Sequence, residues 1–134
     1  MQIWKNIKVT IEGKTCEVKT LFDSGSSFII IGHVKLKELF GKVPTKPLVK
    51  LWEGALANGQ KIVIDSYVDS EMTIDKYMIS ERIYLSKDIA KKVELEGKEV
   101  GLPELIIGSP TMETWGLELD FKRGEMVYRG SFIL

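Results

Sequence analysis

Apolar and polar residues alternate with a period of two through most of this chain. Val9 and Ile11 alternate with polar neighbours, Glu12-Gly13-Lys14 interrupts, and Cys16, Val18, Thr20 and Phe22 resume the pattern. Successive side chains of a strand point to opposite faces, so the pattern predicts a hairpin of two half-buried strands. The second strand runs into Asp23-Ser24-Gly25-Ser26-Ser27, a loop of small polar residues. Phe28-Ile29-Ile30-Ile31 and Leu105-Ile106-Ile107 are short continuous apolar runs, as expected of buried strands. Asn58-Gly59, between Ala55-Leu56-Ala57 and Lys61-Ile62-Val63-Ile64, predicts a second hairpin, because both residues tolerate positive φ. Further strands are predicted near Met72–Ile79 and Arg82–Leu85. A last pair follows: Leu117 to Phe121 alternates, turns at Lys122-Arg123-Gly124 and returns through Met126-Val127-Tyr128.

Helical signals are short. His33 to Phe40 forms a rough amphipathic segment ended by Gly41, and Pro44 and Pro47 mark a connector after it. Ser86 to Val93 reads as one or two helical turns with Ser86 as N-cap. Ser109-Pro110 reads as a helix start, Ser109 capping and Pro110 at the first helical position, with Gly116 as the stop. The expectation is a mainly β fold with two or three short helices, in one domain spanning residues 1–134.

Composition narrows the functional classes. The 19 basic and 19 acidic side chains cancel, so charge gives no argument for a nucleic-acid or membrane partner, and neither is expected. Cys16 is the only cysteine; it cannot form an internal disulfide or hold a structural zinc alone, and reads as a small half-buried hydrophobe. The first residues lack the apolar run of a signal peptide, and no window approaches the roughly 20 apolar residues of a membrane span. A cytoplasmic location is expected. His33 is the only histidine, which leaves no His-rich zinc spacing, and its place at the head of an amphipathic segment does not suggest a triad. The glycines form neither a phosphate loop nor a dinucleotide pattern, and no cofactor is expected. Trp4, Trp52 and Trp115 read as core or interface residues.

The distinctive chemistry lies at Asp23. Asp-Ser occurs three times, at Asp23, Asp65 and Asp69, and only Asp23-Ser24 is followed by glycine. A strand delivers this carboxylate into a tight loop where Gly25 lets the backbone come close to another group. The stretch Leu21-Phe22-Asp23-Ser24-Gly25-Ser26-Ser27 resembles the active-site loop of aspartic proteases. Leu105-Ile106-Ile107-Gly108-Ser109-Pro110 resembles the second signature of that family, two apolar residues and a glycine leading into a helix. Trp115-Gly116-Leu117-Glu118-Leu119 is similar to its closing helix and strand. The order matches the one-lobed retropepsin branch over most of the chain, from about Val9 to Phe121. Two departures stand out. Gly108 lies 85 residues after Asp23, a wider gap than in the compact retroviral enzymes, with the excess placed in Asp75–Leu102 and its extra helix. Ser27 and Ser109 stand where those enzymes carry a mutually supporting Asp and Arg.

The resemblance implies a closed β-barrel-like acid-protease lobe, active as a two-fold homodimer. Asp23 of each subunit would supply half of a carboxylate pair that activates water against a peptide or protein substrate. Ser24 would donate its hydroxyl across the axis and Gly25 would offer a carbonyl to substrate. Ser26, Ser27 and Ile107 would line the cleft, and the Leu51–Ile62 hairpin would be the flap, with Leu56, Ala57, Asn58 and Gly59 at its tip. Val127–Leu134, ending on Phe132-Ile133-Leu134, is a candidate dimer interface. Two readings compete with the enzyme: a catalytically inactive dimerisation or peptide-binding module of the same fold, and an unrelated β-barrel binding protein.

Overall fold

Glu12 and Gly13 fix the first register of the molecule. Both take positive φ, 50° and 78°, in the computed structural model, which describes residues 2–55, 61–89, 93–95, 98–100 and 104–130. That conformation twists the chain to suit a two-residue hairpin, and glycine adopts it without steric cost. Strands β1 (Gln2–Ile11) and β2 (Lys14–Asp23) therefore pair along their whole length, from Ile11↔Lys14 out to Gln2↔Asp23.

The chain continues through β3 (Ile30–Gly32), helix α1 (His33–Phe40), β4 (Lys46–Ala55), β5 (Lys61–Ile74) and β6 (Tyr77–Ser86). A small hairpin, β7 (Val93–Leu95) and β8 (Lys98–Val100), precedes β9 (Leu105–Gly108) and helix α2 (Ser109–Thr114). The ribbon β10 (Leu117–Asp120) and β11 (Glu125–Tyr128) follows. Six strands close into a barrel in the order β1-β2-β9-β3-β6-β5, and β5 returns to β1 through Lys8↔Thr73, Val9↔Met72 and Thr10↔Glu71. Closure runs through short stretches of pairing: Gln2–Ile7 of β1 pair only with β2, and Tyr77–Ile83 of β6 pair only with β5. Strand β4 hydrogen-bonds to β5 outside the ring, so the β4–β5 hairpin extends from the barrel as an arm.

Two apolar clusters result among the described residues. The large one fills the barrel with Phe22, Ile31, Met72, Ile83 and Ile107 among others, under helix α1 through Leu36 and Phe40. The small one, at the base of the β4–β5 arm, joins Ile30, Ile62 and Ile64, with Phe28, Leu48, Tyr84 and Ile89 packed around them. Helix α1 ends at Gly41, as the sequence predicts, and Lys14 Nζ donates to the Phe40 carbonyl at its last turn. The Cys16 thiol, half-buried, donates to Leu39 O.

Four expectations are corrected. The strand drawn through Met72–Ile79 is two strands, because the chain turns at Asp75-Lys76. Asp75 sits at φ 54°, held there by the Met126 N–H and by Lys5. Ser86 caps no helix: it ends β6, and its hydroxyl accepts the Asp88 N–H in a local turn. Residues 90–92 lie outside the described residues, and Val93 begins a strand, so the excess length carries the β7–β8 hairpin. The apolar run Phe28-Ile29-Ile30-Ile31 forms a shorter strand than expected, with Phe28 and Ile29 in the approach to β3. In α2 the N-cap is Gly108, one residue earlier than predicted, and the Ser109 hydroxyl instead donates to Ser24 O. Among the described residues no helix is long and apolar enough to cross a membrane.

Candidate active site

Strands β2 and β9 run parallel side by side, and both end at the same level: Phe22 lies beside Ile107 and Asp23 beside Gly108. Alternation along β2 sends Phe22 into the barrel core and Leu21 and Asp23 to the other face. The barrel thus positions Asp23 on the face away from its apolar core. The Asp23 residue is 8% exposed. Its Oδ1 accepts the Gly25 N–H at 2.9 Å, and its Oδ2 accepts Gln2 Nε2 at 3.2 Å. Its backbone carbonyl accepts the Ser26 N–H at 3.0 Å, which closes the loop.

The rest of the loop is fastened from both sides. Ser26 Oγ donates to Phe28 O at 3.0 Å, and Ser109 Oγ donates to Ser24 O at 3.0 Å. Gly108 packs so closely that a Cβ added there would run into the Ser26 carbonyl. The second motif therefore forms the floor on which the first motif rests. Ser24, Gly25 and Ser27 are exposed and Ser26 is half-buried, whereas Asp23 itself is buried, so the loop carries the carboxylate just below the surface. Ser27 and Ser109 are not equivalent: Ser27 is exposed, while Ser109 ties helix α2 to the loop through a neutral hydrogen bond.

Ile107 does not face this site. It is fully buried in the barrel core, because its parity matches Phe22. Its neighbour Ile106, opposite Leu21 and Ile30, has the parity of Asp23 and is the apolar residue of β9 on the outer face. The strand pattern carries this information, since Asp23 and Ile107 lie on opposite parities of paired strands. Leu56, Ala57, Asn58 and Gly59 lie outside the described residues, as does Phe132–Leu134. The arms of the hairpin are described: Trp52, Glu53, Gly54 and Ala55 pair with Ile64, Val63, Ile62 and Lys61. Trp52 meets Phe28 and Tyr84 with ring centroids 5.5 and 5.4 Å apart, joining the arm to the segment that follows the Asp23 loop. Gln2 escaped the sequence analysis altogether, although the two-residue turn places it opposite Asp23.

Other polar clusters serve the framework. His33 Nε2 and Asp65 Oδ1 are 2.7 Å apart, and the Ser66 hydroxyl donates to the same carboxylate oxygen. The serine thus meets the aspartate and not the imidazole, which is not the order of a nucleophilic triad. A cavity of about 410 Å³ lies beside α1, lined by His33, Leu36, Lys37, Gly41, Lys42, Val43 and Thr45, with no residue of the Asp23 loop. Trp4 and Trp115 are partly exposed: Trp4 lies under Lys19, and Trp115 Nε1 donates to Glu81. Among the described residues no three His, Cys, Asp or Glu side chains gather to hold a metal ion.

No protein-family model matches the sequence, and no curated protein matches it. Solved structures do. The EIAV protease, complexed with the inhibitor HBY-793, superposes with a TM-score of 0.56 at 9% identity, covering 84% of this chain and 86% of that one. The retroviral protease-like domain of Ddi1 from Leishmania major superposes with a TM-score of 0.57 at 16% identity, covering 96% and 93%. At these identities the likeness concerns the backbone, and it extends over nearly the whole of each chain. Together with the six-stranded barrel and its two short helices, it shows that this chain has the retropepsin-like fold.

Proposed function

We propose that the chain is an aspartic endopeptidase that works as a two-fold homodimer, with one Asp23 from each subunit. The observation that carries this reading is the placement of Asp23. It stands at the end of a barrel strand, in a loop closed on itself, with its carboxylate held by the Gly25 N–H and its loop seated on Gly108. A two-fold axis beside that loop brings the same residue to both sides of one site, so a single motif suffices.

Two carboxylates at close quarters do not both ionise, and share one proton. The ionised one takes a proton from a bridging water while the protonated one gives its proton to the substrate carbonyl. The water oxygen bonds to the carbonyl carbon and a tetrahedral diol forms. Proton transfer to the amine then allows the C–N bond to break, releasing acid and amine. This proton-sharing pair is a worked example of acid–base tuning in aspartic proteases generally. Ser24 would brace the loops across the axis, Gly25, Ser26 and Ser27 would meet the peptide backbone, and Ile106 rather than Ile107 would give an apolar contact. The β4–β5 arm would close over the peptide and exclude water, with Leu56, Ala57, Asn58 and Gly59 at its tip.

Asp23→Asn tests the reading, since the amide keeps the shape of the carboxylate but takes no proton. Hydrolysis of a mixed peptide library should disappear while the circular dichroism spectrum and sedimentation stay as in the wild type. Specific activity of the wild type should also fall on dilution below the dimer dissociation constant. Cleavage by the variant at the wild-type rate would end the catalytic assignment. A wild type that dimerises but cleaves nothing would mark a non-catalytic module of the same fold.

A further inference from the structure

The β1–β2 register makes Gln2 the direct cross-strand partner of Asp23. Residues opposed in an antiparallel pair place their side chains on one face, about 5 Å apart at Cβ. The carboxamide of Gln2 uses this proximity: its Nε2 donates to Asp23 Oδ2 at 3.2 Å, while the Gly25 N–H holds Oδ1 at 2.9 Å. The last torsion of an aspartate is broad and weakly restrained by sterics. One donor on each oxygen restrains it from both sides and fixes the plane in which the remaining lone pairs lie. The carboxamide does this without adding a charge, so the proton sharing between carboxylates is not forced towards double ionisation by a cation.

We propose that Gln2 is a positioning residue for Asp23, a clamp that sets the carboxylate plane for attack by water. This rests on the catalytic reading of Asp23 given above. In a homodimer each carboxylate would carry its own clamp, supplied by its own chain. Gln2 is exposed and lies outside both apolar clusters, so its loss should leave the barrel intact.

Two variants of similar length test the clamp. Gln2→Met removes the donor, and Gln2→Glu keeps the shape but presents oxygen where the N–H stood. Both should lower kcat by about tenfold or more, the scale of a lost hydrogen bond to a charged group, with KM within about twofold. The thermal midpoint should stay near the wild-type value. A side chain that merely packs would survive both substitutions, so wild-type kcat in both would overturn the proposal. A separate readout needs no activity: the side-chain amide protons of Gln2, observed by ¹⁵N-edited NMR, should be shifted in the wild type and move to free-glutamine positions in Asp23→Ala. An unshifted amide, in an enzyme that Asp23→Asn silences, would overturn the clamp alone. A shifted amide in a protein that cleaves nothing would instead overturn the catalytic reading and leave the contact standing.

Discussion

Strand β5 runs through two different environments. Its later residues, Val68, Met72 and Ile74, are buried in the barrel core, while its first inward residues, Ile62 and Ile64, belong to the small cluster at the base of the arm. The change occurs at Asp65, where the β5–β6 register shifts between Ile64 and Ser66. A second irregularity faces it in β4, between Pro47 and Trp52. His33 holds Asp65 at this boundary. Bulges re-aim a strand locally, and these two lie where the arm leaves the barrel. The barrel, closed on itself and densely apolar, positions the carboxylate. The arm, attached to the barrel sheet through β5, contributes Ile62 and Ile64 to a small cluster completed by Ile30 of β3. On the proposed function a site must hold a carboxylate still and admit a peptide; β2 and β9 of the barrel hold Asp23, and β5 joins that barrel to the arm.

Gly108 is where the rigid part can be broken most severely. Its backbone lies against the Ser26 carbonyl, so Gly108→Ala requires the Asp23 loop to shift, with backbone and not a pliable side chain in the way. A displacement near 1 Å costs catalysis about a hundredfold, and the overpacking adds roughly 1–3 kcal/mol of instability. Both losses should appear together, in peptide hydrolysis and in urea unfolding. A variant as active as the wild type would mean that the loop can move freely, contrary to the contrast drawn between barrel and arm.

Most of this rigid part was legible in the sequence, and the reasons are local. Period two in Val9–Phe22, the turn at Glu12-Gly13 and the run Leu105–Ile107 before Gly108 each carry their own physical signal. What escaped depends on residues far away in the chain. Asp75-Lys76 has no glycine and no proline, and its turn is held by Lys5 and by the Met126 N–H, 51 residues on. Ser86 has the chemistry of a helix cap, but its hydroxyl accepts the nearby Asp88 N–H at the end of a strand, and Lys87, Asp88 and Ile89 after it are not helical. Ile107 belongs to the second signature motif, yet strand parity sends its side chain into the core. Gln2 was implied by the register, yet exposed Trp4 and Asn6 conceal the strand at its start.

The two clusters can be compared directly by one substitution made in each. Ile107 and Ile62 are both buried isoleucines, 0% and 2% exposed. Ile107→Ala opens a cavity among strands closed in a ring, which cannot collapse, and should cost about 3–5 kcal/mol. Ile62→Ala leaves a gap beneath an arm that can settle onto Phe28 and Tyr84, and should cost about 2–3 kcal/mol, the low end of the range. Their effects on hydrolysis should rank in the opposite order once both are measured on folded protein, with KM raised more by the change at Ile62. Equal unfolding costs would show that arm and barrel form one cooperative unit, and the contrast would lose its physical basis.

Asp75 offers the smallest effect and the finest test, because it stiffens the barrel at a turn and touches no residue of the Asp23 loop. Its carboxylate accepts the Met126 N–H at 2.8 Å and pairs with Lys5 at 2.9 Å, while Lys5 also donates to Gly124 O. The latch fastens the β5–β6 turn and β1 to the β10–β11 ribbon. Burial alone would raise the pKa of this carboxyl, but the Met126 N–H and the Lys5 ammonium outweigh burial and leave it below its ordinary value. A carboxyl lowered in the folded state stabilises that state above its unfolded pKa of about 3.9, and the contribution is lost as pH falls through the folded value. Asp75→Asn keeps the left-handed turn and an acceptor for Met126, and loses only the charge. The side chain is 35% exposed, so solvent screening keeps the difference to about 1 kcal/mol or less. Urea unfolding of wild type and variant should therefore differ most near neutral pH, and the gap should close progressively as pH falls below about 4. Activity at neutral pH should be the same in both. A gap that widens towards acid would reverse the sign assigned to Asp75, and a matching loss of activity would show that this end of the barrel is coupled to the Asp23 loop.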